Sequence, residues 1–327
     1  MNLIHRGTHR MMRTRILLFK GFFRLALAAA IATAGAGILP AQTAPAKKKA
    51  TAPPHDCGHG VSLRLTSPTA AQGSLLEAEL RSAGPLEDLK AAWAGHQLAP
   101  WPDAKSKNLK RTFLGVDLEQ APGKYDLKLT AQLSGSEPFE CSLSLSVKAG
   151  KFAVEKLTVA KQFVEPNPEE VARANRERQH LREIFATVTP QRLWRGTFRA
   201  PLDGARNAKN FGRRRVLNGE PGSPHSGVDF PAAAGTPIHA AQRGRVVLAE
   251  ELFFSGNTVA IDHGLGVYTF YGHMESFAVT ASELVEKGAL LGKVGATGRV
   301  TGPHLHWGLT VNQARVNPLQ ILSLPLS

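Results

Sequence analysis

The sequence predicts a mainly β protein in three parts: an N-terminal β-sandwich of immunoglobulin-like type, a short connecting helix and a C-terminal all-β domain. Three observations predict it. Short runs in which apolar and polar residues alternate occur in both halves of the 327-residue chain, and a period of two is typical of strands with one buried face. One stretch near residues 165–187 has helix signals instead. Glycines punctuate the C-terminal runs, which indicates tight turns between short strands.

Residues 1–41 have the composition of an export signal. Basic residues precede an apolar, alanine-rich run over residues 25–39, and the small residue Ala41 follows it. We expect cleavage near Ala41; the alternative is an uncleaved signal that anchors the protein to the membrane. The mature protein is then expected outside the cytoplasm, in the periplasm or cell envelope, or secreted. Residues 42–54 are rich in Ala, Pro, Thr and Lys and predict a flexible linker.

Residues 55–150 predict the accessory β-sandwich. Val61–Leu65, Tyr125–Leu129 and Ser142–Val147 alternate as strands do, and Pro122-Gly123 is a turn signal. Alternating strands at this spacing suggest an immunoglobulin-like arrangement. The segment holds no catalytic constellation, so we expect an accessory or substrate-positioning role.

The two cysteines, Cys57 and Cys141, bracket this segment. In an exported chain they can pair, and the bridge would tie the first strand of the sandwich to its last. The alternative is two unrelated thiols. Both cysteines lie far upstream of the histidine-rich stretch described below.

Residues 151–193 predict a helical connector. Asn167 suits the N-cap of a helix, Pro168 suits its first position, and Glu169 and Glu170 complement the positive end of the helix dipole. Arginines crowd much of the remaining helix surface. We therefore expect one apolar edge to pack on a neighbour while the charged side stays solvated.

The chain is strongly basic, with a formal net charge of +14. Such a charge suits an anionic partner such as a cell-wall polymer. The alternative is that it serves export and solvation, because much of it lies in the first 50 residues and in the arginine-rich middle. We expect no nucleic-acid partner, and membrane contact only through the N-terminal signal if it is retained.

The chemistry is expected in residues 194–327. His225 and Asp229 are four residues apart, and His304 and His306 are two apart. On an extended strand such pairs point to the same side, so both pairs can face one point. Two histidines and one carboxylate suit a catalytic zinc, which keeps one position open. We predict His225, Asp229 and His306 as ligands of Zn²⁺, although other divalent metals accept the same donors.

His273 and His304 remain as candidates for catalysis. A neutral histidine near pH 7 can take a proton from the attacking water and return it later. A second histidine can hydrogen-bond to the developing oxyanion. We predict one histidine in each role and favour His304 as the base, because it is fixed beside His306.

Other polar residues of this part have weaker interpretations. Asn210 is expected near the metal cleft. Gly212 and the three arginines at 213–215 could line a groove, bind an anionic substrate or simply be solvated. We expect His239 to be structural. His263 follows a predicted strand and could do no more than stabilise a turn.

A set of glycine- and histidine-containing motifs runs from residue 209 to residue 318: Phe211-Gly212-Arg213, His225-Ser226-Gly227-Val228-Asp229, Gly235-Thr236-Pro237-Ile238, Gly244-Arg245-Val246, Gly256-Asn257-Thr258-Val259, Asp262-His263-Gly264, Tyr271-Gly272-His273 and Thr301-Gly302-Pro303-His304-Leu305-His306. This set resembles the lysostaphin-type, or LytM-domain, zinc metallopeptidases. The resemblance covers about a third of the chain, and the region upstream is outside it.

The resemblance implies an all-β peptidase fold around a sheet-lined groove and cleavage of peptide bonds in peptidoglycan. By the pattern of the family, the ligand positions fall on His225, Asp229 and His306, and the catalytic histidines fall on His273 and His304. This agrees with the interpretation of the residues themselves.

The predicted function is thus a zinc-dependent metalloendopeptidase that hydrolyses peptidoglycan stems or crosslinks in cell-wall remodelling, with other wall hydrolases or division proteins as potential partners. The alternative is a non-enzymatic, wall-binding activator of other wall hydrolases, because some LytM-domain proteins lack the ligands and act in that way. The complete ligand set favours an enzyme. The sequence leaves open which peptide bond is cut.

Overall fold

The N-terminal part of the protein consists of strands that form two sheets. The computed structural model describes residues 53–135, 137–205 and 207–324. The predicted export signal and most of the predicted linker lie outside the described residues. In the first part the strands are β1 (His55–Asp56), β2 (Val61–Leu65), β3 (Thr69–Ala71), β4 (Leu75–Ser82), β5 (Leu86–Trp93), β6 (His96–Leu98), β7 (Trp101–Pro102), β8 (Leu109–Gly115), β9 (Gly123–Leu133) and β10 (Phe139–Lys148).

These strands pack as two five-stranded sheets over one apolar core. The sheet orders are β1-β2-β4-β8-β7 and β3-β10-β9-β5-β6. Both sheets contribute residues to this core: Val61, Leu63 and Leu65 of β2 are buried in the same cluster as Leu127 and Leu129 of β9. The alternation in the sequence therefore corresponds to inward and outward faces. The immunoglobulin-like topology and the domain limits stay predictions.

A disulfide bond joins Cys57 and Cys141, with their Cα atoms 5.4 Å apart. Cys57 follows β1, and Cys141 lies in β10. The bond therefore links the two sheets across their shared core. Because both sulfurs are in this bond, neither is a thiolate that could bind a metal, although His55 lies close to the pair.

The connector contains a helix and a strand. The strand is β11 (Val154–Leu157), followed by a 3-10 helix (Lys161–Phe163) and α1 (Pro168–Ala186). Asn167 and Glu170 form a reciprocal capping box at the start of α1, as the sequence suggested. Among the described residues, no helix is long and apolar enough to span a membrane.

The C-terminal part holds the largest sheet. Its elements are β12 (Arg214–Leu217), β13 (Glu220–Pro221), β14 (Gly227–Pro231), β15 (Pro237–His239), β16 (Gly244–Leu252), β17 (Gly256–Asp262), β18 (Val267–Phe277), β19 (Leu284–Val285), β20 (Leu290–Val294), β21 (His304–Val311), β22 (Ala314–Val316) and a final 3-10 helix (Pro318–Ser323). The main sheet has the order β14-β21-β18-β17-β16-β19, with β20 on β18 and β22 on β21. The mainly β fold predicted from the sequence is confirmed.

The connector packs on this sheet in two places. Leu181, Ile184 and Phe185 of α1 pack against the buried residues Leu248 and Leu252 of β16, so the apolar edge of the helix has the neighbour that its sequence predicted. Strand β11 runs parallel to β12, which pairs antiparallel with β13. This small three-stranded sheet was not predicted from the sequence.

Apolar and charged contacts join the N-terminal sandwich to the C-terminal part. Trp101 and Phe113 of the sandwich pack against Trp194, with ring centroids 5.3 and 5.9 Å away. Asp117 accepts a hydrogen bond from the Arg315 side chain at 2.7 Å. These contacts lie beside β21 and β22, the end of the chain that carries the predicted site.

Candidate metal centre and active-site cleft

The sheet register brings three of the predicted residues together. Strands β14 and β21 pair antiparallel, so Asp229 lies directly opposite His306. His225 Nε2 is 2.9 Å from Asp229 Oδ1 and 3.0 Å from His306 Nδ1. His306 Nδ1 is 2.8 Å from the same Asp229 Oδ1. His225 Nε2, Asp229 Oδ1 and His306 Nδ1 thus form one small triangle, although His225 and His306 are 81 positions apart in the sequence.

The strand β21 separates its core residues from its site residues. Leu305 and Trp307 have no exposed surface and belong to the main apolar cluster. Successive side chains of a strand point to opposite faces, so His304 and His306 lie on the cleft side. Gly272 of β18 is the partner opposite His306.

His225 reaches the triangle in a different way from the one expected. Strand β14 begins at Gly227, so His225 precedes the strand instead of lying on it with Asp229. Its backbone N–H donates to Arg213 O at 3.0 Å, and its carbonyl accepts from Gly212 N at 2.8 Å. These loop contacts set the position of the His225 ring. The four-residue spacing from His225 to Asp229 therefore spans a turn and the start of a strand.

Asn210 supports both His225 and Asp229. The backbone carbonyl of Asn210 can only accept, so His225 donates to it through Nδ1, at 2.8 Å. That tautomer leaves the His225 Nε2 lone pair facing the triangle. The Asn210 side chain accepts from Asp229 N and donates to Asp229 O, at 3.1 and 3.0 Å. The expectation that Asn210 lies near the cleft matches this geometry.

Asp229 divides its two oxygens between different partners. Oδ1 faces the two histidines, and Oδ2 accepts from the Arg215 guanidinium at 2.7 Å. Burial raises the pKa of the Asp229 carboxyl, but its contacts with the His225 and His306 rings outweigh burial and hold the pKa well below its usual range. Asp229 is therefore an anionic donor at neutral pH.

Arg215 is itself held by Glu155 of β11, whose carboxylate is 3.5 Å from Arg215 Nε and also pairs with Arg213. The sequence did not decide whether residues 213–215 line a groove or face solvent. In the structure Arg215 supports the site and Arg214 is exposed. Successive side chains of β12 point to opposite faces, so Arg214 faces solvent whereas Arg215 faces the site.

His273 lies beside the triangle in an unusual backbone conformation. Its φ of 63° is in the left-handed region, which is uncommon for residues other than glycine and is found most often at functional sites. Its Nδ1 donates to Thr297 O at 2.9 Å. Burial, together with His306 and His304, lowers the pKa of His273 to about 3, so its ring is neutral at pH 7.

His304 lies between His273 and Asp229. Its ring centroid is 4.8 Å from that of His273, and its Nε2 is 3.8 Å from Asp229 Oδ1. Its Nδ1 donates to Gly302 O at 2.8 Å. In both histidines Nδ1 is thus occupied by a carbonyl, and Nε2 is the nitrogen that can accept a proton or, when protonated, donate to an oxyanion.

The triangle fits a divalent metal ion. Zinc–ligand bonds of about 2.0–2.2 Å place three donors on one face of a tetrahedron, with the fourth position open. The donors here are 2.8–3.0 Å apart, close enough together to bind one ion. Burial lowers the pKa of His306 to about 4, so its imidazole can offer a lone pair at neutral pH. Two nitrogens and one carboxylate suit zinc and are accepted by other divalent ions.

A cleft of about 270 Å³ opens onto this group of residues. Asp229, His273 and His304 line one wall, and the loop over residues 299–303 lines another. Strands β11 and β12 contribute a third wall through residues that include Glu155 and Arg215. The connector is therefore part of the cleft, which the sequence did not indicate.

The remaining histidines of this part have internal partners. His239 Nδ1 donates to Gly288 O at 3.1 Å. His263 has no exposed surface; it donates to Arg243 O at 2.8 Å and accepts from the Thr269 hydroxyl at 2.7 Å. Both contacts are those of structural residues outside the cleft.

Comparison with known proteins agrees with this geometry. The family model described as Peptidase family M23 matches residues 223–318. Peptidoglycan DD-endopeptidase ShyC of Vibrio cholerae is 42% identical over 122 residues, which are 37% of this chain and 28% of the relative. The DD-carboxypeptidase/endopeptidase Mpg of Neisseria meningitidis serogroup B is 40% identical over 97 residues, 30% of this chain and 22% of the relative. The chain thus spans less than a third of the length of these relatives.

A solved structure assigned to peptidase M23, from Pseudomonas aeruginosa, resembles more of the chain. It is 28% identical, has a TM-score of 0.59, and covers 77% of this chain and 94% of its own. The likeness therefore extends beyond the residues that the family model matches. Residues 223–318 therefore form a LytM-type domain of peptidase family M23.

Proposed function

We propose that this protein is a zinc-dependent metalloendopeptidase that hydrolyses peptide bonds in the stems or crosslinks of peptidoglycan during cell-wall remodelling. One observation carries the proposal: His225, Asp229 and His306 converge within 3.0 Å of each other, and His273 and His304 border the same cleft. Relatives named as peptidoglycan DD-endopeptidases support this choice of substrate. The net charge of +14 suits an anionic wall polymer.

In this proposal His225, Asp229 and His306 hold the metal. A bound zinc ion would supply a Lewis acid that polarises the scissile carbonyl and lowers the pKa of water. The carboxylate of Asp229 is oriented by Arg215, and the ring of His225 by the Asn210 carbonyl. Partners of this kind fix the direction of each donor before the ion binds.

The two remaining histidines share the proton transfers. His304 is the general base: its Nδ1–H is held by Gly302 O, so its Nε2 takes the proton of the attacking water and later delivers it to the leaving amine. His273, held by Thr297 O, stabilises the oxyanion that forms on the scissile carbonyl. The strained backbone at His273 is consistent with a residue whose position matters more than its local energy.

We further propose that the protein works outside the cytoplasm, in the periplasm or cell envelope or after secretion. The disulfide between Cys57 and Cys141 supports an oxidising compartment. Residues 1–41 serve as the export signal in this proposal. N-terminal sequencing of the mature protein is expected to find a start near residue 42, whereas a start at Met1 would show that the signal is not cleaved.

Digestion of purified peptidoglycan tests the enzymatic proposal. The protein is incubated with sacculi, and the released fragments are analysed by mass spectrometry, beside a His306→Ala variant and a chelator-treated sample. We expect new peptide amines with the wild-type protein alone, and the fragment masses identify the bond. Absence of release from a metal-loaded protein, together with stimulation of another wall hydrolase, would favour the non-enzymatic activator instead.

A further inference from the structure

Arg299 projects from the loop between β20 and β21 and lines the active-site cleft. Its backbone N–H donates to Phe254 O at 2.9 Å. Its guanidinium carbon lies 4.5 Å from the centroid of the Phe254 ring. Stacking on an aromatic face leaves the edges of a guanidinium free for planar, two-pronged hydrogen bonding.

Close backbone packing fixes the loop that carries Arg299. Gly298 has a φ of 73°, and a Cβ at this position would lie 2.3 Å from Gly256 N. Asn257 N donates to Thr297 Oγ1 at 2.9 Å, and Thr297 Oγ1 donates to Met274 O at 2.8 Å. The loop is therefore anchored on β17 and on β18, the strand that carries His273, and the Arg299 side chain starts from a defined position.

Arg299 is the charged side chain of this cleft that has no ion-pair partner. Glu155 pairs with Arg213 and Arg215, and Asp229 pairs with Arg215 and the histidines. Among the described residues, no carboxylate lies within ion-pairing distance of the Arg299 guanidinium, and its side chain donates no hydrogen bond. Burial, with Arg215 nearby, lowers its pKa to about 10, so it stays charged at neutral pH. A partly buried cation without a counter-ion is a ready partner for an anionic ligand.

We propose that Arg299 binds a free carboxylate of the peptide substrate beside the scissile amide, and so selects acidic peptides over uncharged ones such as glycine bridges. The carboxylate is expected next to the scissile bond because Asp229, His273 and His304 line the same cleft as Arg299. This inference rests on the proposed function, since it names the substrate class of that site.

Two synthetic peptides test this assignment. They are identical except that one carries a carboxylate on the residue adjoining the scissile amide and the other carries the primary carboxamide there. The kcat/KM for both is measured with wild-type protein, Arg299→Gln and Arg299→Lys. The matched control, Arg81→Gln, removes an exposed arginine of the N-terminal sandwich.

We expect wild-type protein and the control to prefer the acidic peptide by about 10- to 100-fold, the range for a charge-assisted contact in a partly buried site. Arg299→Gln loses this preference because cleavage of the acidic peptide falls much further than cleavage of the carboxamide. Arg299→Lys keeps the charge without the planar fork and retains a part of the preference. Equal cleavage of both peptides by wild-type protein, or an equal loss for both in Arg299→Gln, would overturn the proposal.

A binding measurement separates this inference from the proposed function. Fluorescence anisotropy of the labelled peptides is recorded with His304→Ala protein, with and without Arg299→Gln, so no turnover is needed. Preferential binding of the acidic peptide that Arg299→Gln removes supports the inference, even if no variant cleaves either peptide. Equal binding of the two peptides overturns it, even if both are cleaved.

Discussion

The Arg215 guanidinium lies 2.7 Å from Asp229 Oδ2 and leaves Asp229 Oδ1 to face His225 and His306. The carboxylate is thus oriented by one oxygen while the other points into the candidate metal centre. Glu155 pairs with the Nε atom of the same guanidinium. Arg215 and Glu155 both precede residue 223, where the family match begins, so the connector takes part in shaping the site.

This chain of contacts predicts that Arg215→Gln weakens metal binding. Loss of the guanidinium frees the carboxylate to rotate, and groups that orient a ligand typically contribute about 10- to 100-fold to metal affinity. Competition of the purified protein with a zinc-chelating dye measures the change. Arg214→Gln removes a charge from the exposed neighbouring residue and is expected to leave the affinity unchanged. Equal affinities in wild type and Arg215→Gln would contradict the orienting role.

The roles proposed for His273 and His304 predict that each can be lost without loss of the metal. We expect His304→Ala and His273→Asn to lower kcat on peptidoglycan by about 10²- to 10⁴-fold, the usual effect of removing a positioned proton-transfer group. Asparagine is chosen at position 273 because it tolerates the positive φ of 63° found there. Metal content is measured in parallel by mass spectrometry of the ion, and loss of the metal in both variants would argue against these roles.

The residues that the structure brings together in the candidate site were easier to predict from the sequence than the contacts that support them. His304 and His306 are two residues apart on one strand, and the buried Leu305 between them turns both to the cleft. A local period of two is enough for that inference. The convergence of His225 with His306 depends on strand pairing across 81 residues. The types of the ligand residues and the resemblance to a family suggested this convergence, and periodicity alone could not have predicted it.

Glu155 shows why the rest of the site escaped prediction. It reaches Arg215 because β11 pairs in parallel with β12, with Glu155 in register with Arg215. Four residues of strand in a segment that otherwise reads as a helical connector give no strong signal of their own. Arg299 was missed for a similar reason, since its lack of an ion-pair partner becomes visible only when the neighbouring side chains are placed.

The bond between Cys57 and Cys141 predicts a large contribution to the stability of the N-terminal sandwich. The two residues are 84 positions apart, and a loop of that length is expected to stabilise the folded state by roughly 4 kcal/mol in the chain-entropy model. The free energy of urea unfolding, measured for wild type and for the double variant Cys57→Ser/Cys141→Ser, tests this value. A difference below about 1 kcal/mol would mean that the reduced chain is already constrained.

His263 predicts a dependence of stability on pH that is independent of the metal. Burial lowers the pKa of His263 to about 4, and the contact with Arg243 O opposes burial only in part. The unfolded state, with a pKa near 6.5, binds more protons than the folded state between pH 6.5 and 4. The contribution of neutral His263 to the free energy of unfolding is therefore fully present above pH 6.5. As the pH is lowered, titration of this residue lowers the free energy of unfolding by roughly 3 kcal/mol.

His263→Gln isolates this contribution, because glutamine can donate to Arg243 O and accept from Thr269 but does not titrate. Free energies of urea unfolding are compared at pH 7.5 and 4.0 with chelator present, so that metal release does not enter. At pH 7.5 the variant is expected to be less stable than wild type, since its contacts fit less well. At pH 4.0 the difference in the free energy of unfolding between the two proteins is expected to narrow or reverse. The buried His273 and His306 titrate in both proteins and cancel in the comparison. Parallel losses of stability in the two proteins would show that the pKa of His263 is the same in the folded and unfolded states, and would contradict the prediction.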